Sequence, residues 1–177
     1  MERRNLLYLG AATAAGLAGA GAAWLKHEPQ TLTNDQTSAA EKQLWSLSFD
    51  TPDGQPQAMH SFRGKPLLLN FWATWCPPCV EELPLLDAFY QEQKSKGWQV
   101  LGLAVDQPSA VRKWLQAKPL SFAVGMAGLD GTELSKSLGN LSGGLPFTAV
   151  FGKSGTLVHR KTGKVTKEEL VQWTQLQ

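Results

Sequence analysis

Cysteine is scarce in this chain: its 177 residues include only two, Cys76 and Cys79. Two cysteines with two residues between them cannot form the multi-bridge framework that holds small secreted domains together. A bridge between them would close a short loop and, by the loop-closure relation, would contribute only about 2 kcal/mol to stability. The pair is therefore better placed to react than to brace the fold.

Concentrated basic charge and phosphate-binding glycine loops are also missing. The 17 Lys and Arg and the 15 Asp and Glu residues are mixed along the whole length and leave a net charge of +2, without a basic block to follow a phosphate backbone. No glycine-rich phosphate loop occurs. We therefore expect no nucleic-acid partner and no bound nucleotide or other cofactor.

Histidine is too scattered to suggest a metal centre. His27, His60 and His159 lie far apart in the sequence, and each is more typical of a surface histidine than of a ligand. A zinc site built on the cysteine pair would need two more ligands at metal spacing, which the chain lacks. We therefore expect no metal.

Residues 1–27 are predicted to direct the chain rather than to join its fold. Arg3 and Arg4 precede an uncharged run of mainly Ala, Gly and Leu over residues 5–25, about as long as a bilayer core requires. The run predicts an export signal or a membrane anchor, and any membrane association would occur through it. Positive charge ahead of the run places the remainder outside the cytoplasm, for example in the periplasm.

Cleavage and anchoring both stay open for this segment. Ala20-Gly21-Ala22 has the small-x-small form of a signal-peptidase site, whereas Trp24 would suit an anchor at a membrane interface. The paired arginines resemble a twin-arginine export signal, with Glu2 where Ser or Thr is usual. The segment has no cysteine for lipid attachment.

The rest of the chain predicts a linker and one domain. Residues 28–42 are polar and lack periodicity, as in a linker, whereas over residues 43–177 short apolar runs alternate with helical stretches. This alternation predicts an α/β fold in which helices flank a central sheet. The predicted strands cover residues 44–49, 57–59, 66–72, 98–105, 122–124, 147–151 and 157–161. The predicted helices cover residues 77–96, 108–117, 132–138 and a last helix from residue 165, with Thr166 and Glu169 as a capping box.

The segment from Asn70 to Cys79 carries the chemistry, because a Cys-x-x-Cys pair directly follows a buried strand and opens a helix. Cys76 falls at the helix N-cap, where the helix dipole and unpaired N–H groups stabilise a thiolate. Cys79 lies one turn further on, from where it can attack a mixed disulfide formed by Cys76. The spacing therefore predicts thiol–disulfide exchange.

The residues between the cysteines bear on redox poise. Pro77 suits the first helical position, but neither Pro77 nor Pro78 has an N–H group, so the Cys79 amide is the main backbone donor near a Cys76 thiolate. Weaker stabilisation of the thiolate makes the reduced form a better electron donor. We therefore expect a reductant or an enzyme of intermediate potential.

From about Leu44 to its end, the chain resembles the TlpA/ResA-type thiol–disulfide oxidoreductases of the thioredoxin superfamily, which include thioredoxins of cytochrome c maturation. The resemblance implies a thioredoxin-like fold with a central mixed sheet, disulfide-bonded protein substrates and an upstream, membrane-borne thiol reductant. The motifs that carry it are Phe62-Arg63-Gly64-Lys65-Pro66, the stretch from Asn70 to Cys79, Glu82-Leu83-Pro84, Val105-Asp106 and Leu145-Pro146.

The resemblance also implies roles for single residues. Cys76 would attack, Cys79 would resolve, and Trp75 would lie beside the exposed sulfur. Pro146 matches the family's cis-proline, which would bring Leu145 and its backbone alongside the site to pair with an extended substrate segment. Phe147 replaces the small hydroxyl residue common in the family, and this affects the shape of the groove.

A proton acceptor for Cys79 has to be found, because this chain has Asn70 where ordinary thioredoxins carry a buried Asp. Asn cannot accept the proton. Glu82 matches the glutamate of the TlpA/ResA proteins and lies three residues after Cys79, on the same helix face. We expect Glu82 to serve as the base and Glu81 to be solvated.

Two other functions on this fold compete with disulfide exchange. A copper-binding chaperone would resemble Cys-x-x-x-Cys with a distant His, and the spacing here is one residue short. A peroxidase of the related redoxin type should show Pro-x-x-x-Thr-x-x-Cys, which is absent. Copper titration of the reduced protein and peroxide consumption, respectively, would discriminate them.

Overall fold

The computed structural model describes residues 34–175. The predicted export signal or membrane anchor over residues 1–27 and the first part of the predicted linker lie outside the described residues. Within residues 34–175 there are seven strands and five α-helices, with short 3-10 helices at Met59–Phe62 and Lys94–Lys96. The strands are β1 Ser48–Asp50, β2 Pro56–Ala58, β3 Leu67–Trp72, β4 Gln99–Ala104, β5 Ala123–Met126, β6 Phe147–Phe151 and β7 Leu157–Thr162. The α-helices are α1 Asn34–Ser46, α2 Pro77–Gln93, α3 Pro108–Ala117, α4 Gly131–Ser137 and α5 Lys167–Trp173.

All seven strands form one mixed sheet in the order β2-β1-β5-β4-β3-β6-β7. Strands β3, β4 and β5 run parallel, whereas β6 pairs antiparallel with β3, and β1 pairs antiparallel with both β2 and β5. The crossovers between the parallel strands are made by α2 and α3, as strand-helix-strand units require. The prediction of an α/β fold with a central mixed sheet is confirmed.

Strand β3 lies inside the sheet, between β4 and β6, and is buried at every residue from Leu67 to Trp72. Side chains alternate between the two faces of a strand. Leu68 and Trp72 accordingly pack into a core with α2 and α5, and Leu69 and Phe71 into a second core on the opposite face. Asn70 shares the face of Leu68 and Trp72, so this strand brings one polar side chain to the helix that carries the cysteines.

Helix α1 differs from the sequence prediction. Its residues 34–42 were assigned to the linker and residues 44–46 to a strand, but Ala40, Leu44 and Trp45 recur at helical spacing and are buried against the second core. The Trp45 Nε1 donates a hydrogen bond of 2.8 Å to the carbonyl of Gly155, and the indole meets Phe151 edge-on at 5.3 Å. Tertiary packing of these three residues stabilises a helix that is otherwise polar.

The remaining elements agree with the predicted ones to within a few residues. The hairpin of β1 and β2 turns through Thr51 to Gly54, and the predicted capping box is present at the start of α5. There the Thr166 hydroxyl accepts a hydrogen bond from the Glu169 amide, and the Glu169 carboxylate accepts one from the Thr166 amide. This helix therefore begins where local side-chain chemistry predicts.

Candidate active site

The cysteine pair lies at the junction of β3 and α2. Cys76 is the N-cap of α2 in an extended conformation, with Pro77 and Pro78 in the first turn, and it forms a disulfide with Cys79. Pro can occupy the first turn because its missing N–H would have no helical partner there. The strand therefore delivers Cys76 to the end of the sheet, and the helix places Cys79 one turn inside.

The two sulfurs differ in access. Cys76 is 5% exposed and lines a groove, whereas Cys79 is completely buried and does not line it. Cys76 is less exposed than its N-cap position suggests, since the groove walls cover most of it. The Cys79 amide, predicted as the main donor to a Cys76 thiolate, donates instead to the carbonyl of Cys76 at 3.1 Å in this disulfide-bonded form. The prediction concerns the reduced thiolate, which this disulfide-bonded form does not contain, so it stays a prediction.

Asp106, which follows β4, braces the loop that precedes Cys76. Its Oδ2 accepts hydrogen bonds from both the amide and the hydroxyl of Thr74, at 2.7 and 2.6 Å, while its Oδ1 accepts from the Gln107 amide at 2.7 Å. Hydrogen bonds to a carboxylate are among the stronger ones in proteins. The ends of β3 and β4 are thereby joined beside the redox pair.

A groove of about 670 Å³ opens beside Cys76. Trp75 and Leu129, which are 65% and 82% exposed, form apolar parts of its wall, and Leu145 closes another side. Of the described residues that line the groove, Asp106 is the only charged one. The groove therefore offers apolar contacts to any chain segment that approaches the Cys76 sulfur.

The segment opposite the cysteines has the predicted cis peptide bond, between Leu145 and Pro146. Leu145 lines the groove. Among the described residues, no hydrogen bond is made to the N–H or the C=O of Leu145. Strand β6 begins only at Phe147, so this short backbone stretch beside the groove has pairing groups to offer.

Glu82 follows Cys79 by three residues on α2, belongs to a buried polar cluster and is only 1% exposed. Its Oε1 accepts a hydrogen bond of 2.8 Å from the Asn70 Nδ2, and its Oε2 accepts one of 2.9 Å from the Val165 amide. The same Asn70 amide group also donates to the Thr148 hydroxyl at 3.0 Å. Asn70 therefore acts as a donor that orients Glu82.

Burial raises the pKa of the Glu82 carboxyl above its ordinary value, because removal from water disfavours the charged form. The hydrogen bonds from Val165 and Asn70 oppose this shift, since both favour the carboxylate, and the charges of Lys164 and Lys161 oppose it further. Glu81, by contrast, is exposed and pairs with Lys164 at 2.7 Å. The two adjacent glutamates thus differ as predicted in their environment.

The chain shares this architecture with known proteins. The sequence profile of the Redoxin family matches residues 35–173. Thiol-disulfide oxidoreductase ResA of Bacillus thuringiensis subsp. konkukian is 32% identical over 122 residues, which are 68% of each chain, and a ResA of Bacillus cereus is 33% identical over 140 residues, 74% of this chain and 78% of its own. The crystal structure of a thioredoxin-related protein from Neisseria meningitidis serogroup B matches with a TM-score of 0.65 at 30% identity, covering 72% of this chain and 96% of its own.

The chain belongs to the Redoxin family. It is a thiol–disulfide oxidoreductase with a thioredoxin-like fold, and its ResA-type resemblance is confirmed.

Two parts of this redoxin's site were missed from the sequence. Leu129 gave no signal, because a single apolar residue in a loop has no periodicity. Asp106 was noted only within a shared motif, because its bonds to Thr74 depend on the fold bringing the ends of β3 and β4 together.

Residues 34–175 contain neither a group of potential metal ligands nor a helix that could span a membrane. Across these residues of the redoxin, no three His, Cys, Asp or Glu side chains are grouped so that they could hold a metal ion. His159 packs its ring on Trp173 at 5.1 Å, and His27 lies outside the described part. None of the helices described is long and apolar enough to cross a membrane.

Proposed function

We propose that this redoxin reduces disulfides of exported proteins outside the cytoplasm, through Cys76 and Cys79. The observation that carries the proposal is the contrast between the two cysteines, of which only Cys76 reaches the groove. A Cys76 thiolate would attack one sulfur of a substrate disulfide, releasing the other sulfur as a thiolate that takes up a proton. Cys79, as a thiolate, would then attack the Cys76 sulfur, releasing the second substrate thiol and forming the internal disulfide.

The proposed direction of exchange, from the dithiol of this protein to a substrate disulfide, rests on the weak stabilisation of a Cys76 thiolate. Pro77 and Pro78 have no N–H groups, so the Cys79 amide is the main nearby backbone donor expected for the thiolate. A thiolate that gains little from the protein favours oxidation of the pair and hence donation of electrons. An upstream dithiol reductant, which we propose to be membrane-borne, would regenerate the reduced form.

The groove supports an extended protein segment as substrate. The backbone groups of Leu145 would pair with such a segment, while Trp75 would cover it from the other side. The cysteine pair of an apocytochrome c is one substrate that the family resemblance implies. We propose Trp75, Leu145 and Pro146 as the substrate-binding residues on this basis.

A trapping experiment tests the proposal. With Cys79→Ala the second step is removed, so substrates should accumulate as mixed disulfides on Cys76 in intact cells and should be released by a chemical reductant. Cys76→Ala in the same strain serves as the matched control and should trap nothing. If Cys79→Ala yields no mixed disulfide while wild type shuttles between its two redox forms, the proposal of protein substrates is wrong.

The proposed location outside the cytoplasm rests on Arg3, Arg4 and the apolar run over residues 5–25. Protease added to spheroplasts should degrade the domain if it is anchored outside the cytoplasm, while a cytosolic marker stays intact. If the domain has been cleaved, it should already be in the medium when the spheroplasts are prepared. Alkaline extraction of membranes would then distinguish an anchored from a cleaved chain. Protection of the domain together with the cytosolic marker would contradict the assignment.

A further inference from the structure

A buried asparagine lies beneath the loop that carries Leu145. Asn140 is completely buried, although it belongs to the irregular segment between α4 and β6. Its Nδ2 donates to the carbonyl of Gly144 at 2.8 Å and to the hydroxyl of Ser135 at 3.1 Å. The side chain therefore joins helix α4 to the residue immediately before Leu145.

The other polar groups of Asn140 bond to its own loop and to the end of β7. Its Oδ1 accepts from the Thr162 hydroxyl at 3.3 Å and from the Ser142 hydroxyl at 3.4 Å, and its carbonyl accepts from the Gly143 amide at 2.8 Å. Gly143 has a φ of +67°, a conformation that side chains rarely adopt. Two adjacent glycines leave a loop free to move unless other groups fix it. Here the backbone of Asn140 binds Gly143 and its side chain binds Gly144.

We propose that Asn140 is a positioning residue that fixes the Gly144 carbonyl and thereby aims the unpaired N–H and C=O of Leu145 into the groove. The inference rests on the proposed function, because it requires an extended protein segment to pair at Leu145. Asn140 is suited to this task because a single amide group donates to both anchor points, and its buried oxygen is satisfied by hydroxyl groups. A substrate without a peptide backbone would gain nothing from the arrangement.

The test compares Asn140→Asp with wild type on two substrates. An ionised carboxylate keeps the size and the acceptors but has no proton to donate to Gly144, so the loop loses its fixed position. Because burial favours the protonated acid, which could donate, KM is compared at increasing pH. For an extended peptide with an internal disulfide, KM should rise on the order of 10-fold, as for the loss of one hydrogen bond to substrate, while kcat stays near wild type. The rate with hydroxyethyl disulfide, which has no backbone, should be unchanged.

Matched variants separate positioning from folding. Ser135→Ala removes the other acceptor of the same amide but leaves the bond to Gly144, so its KM for the peptide should stay within about two-fold of wild type. Should Asn140→Asp fold poorly, Asn140→Ser offers a smaller polar side chain that is too short to donate to Gly144 and should show the same rise in KM. An unchanged KM in a folded Asn140 variant overturns the inference.

Hydrogen exchange, measured with and without Asn140→Asp, gives a second readout. In the Cys79→Ala chain, the Leu145 amide should become protected when the peptide is held on Cys76 as a mixed disulfide, and this protection should be lost when Asn140→Asp is added. No protection in either chain overturns the inference. Failure of the proposed function itself would look different, because no peptide could then be held on Cys76.

Discussion

Cys76→Ala is expected to abolish disulfide exchange, reducing kcat/KM by ~10³-fold or more, the order of loss that follows removal of a covalent nucleophile. Cys76 alone reaches the groove, whereas Cys79 is buried beneath it, so no second sulfur can take over the first attack. The measurement is reduction of a peptide disulfide under conditions in which a chemical dithiol regenerates the enzyme.

The same contrast in access sets the order of alkylation. In the reduced protein at neutral pH, iodoacetamide should modify Cys76 first, and Cys79→Ala should be modified at a rate close to wild type. Cys76→Ala should react slowly, because its remaining thiol lies inside the first turn of α2. Faster labelling of Cys79 than of Cys76 would reverse the assigned roles and would mean that the groove opens onto the other sulfur.

The sequence predicts this redox centre well because its signal is local. A nearly continuous apolar run followed by Cys-x-x-Cys favours a buried strand that leads into a helix N-terminus, and β3 and α2 are arranged in this way. The capping box of Thr166 and Glu169 was predictable for the same reason. In each case the residues that determine the geometry lie close together in the sequence.

Features that depend on distant contacts were not predictable. Helix α1 has only three core residues in a polar stretch, and its indole bonds a carbonyl 110 residues away, at Gly155. Asn140 also bonds to Thr162 from β7, 22 residues away, which sequence spacing cannot place beside it. Glu82 was identified through the family, but its two donors come from β3 and from the segment before α5.

Glu82→Gln should slow the second step of exchange, the attack of Cys79 on the Cys76 mixed disulfide, by ~10²-fold, as is typical of losing a general base. Asn70 cannot accept the Cys79 proton and instead donates to Glu82. The buried Glu82, three residues from Cys79 along α2, has a pKa raised by burial, which gives it more proton affinity than an ordinary carboxylate has. The first attack by Cys76 should change much less.

Glu81→Gln is the matched control for this prediction, because Glu81 is the adjacent carboxylate but is exposed and paired with Lys164. It should leave both steps unchanged. Stopped-flow measurement of the two steps between about pH 5 and 9 brackets the carboxyl and thiol titrations. If Glu82→Gln and Glu81→Gln behave alike, Glu82 is not the base.

A stability measurement shows whether the Glu82 pKa is raised in the folded protein. Since folding raises this pKa, the folded state holds the proton more tightly, and Glu82 supports folding most at pH values below its unfolded pKa. That contribution is lost as pH rises through the folded pKa. The glutamine side chain introduced by Glu82→Gln cannot ionise. Its amide has one acceptor oxygen for the two donors, Asn70 and Val165, and the loss of one hydrogen bond lowers stability equally at every pH. The free energy of unfolding of wild type, measured in urea, should therefore fall relative to that of Glu82→Gln as pH rises from the unfolded to the folded pKa of Glu82. A constant difference would mean that Glu82 titrates normally and would remove the physical basis for its role as the base.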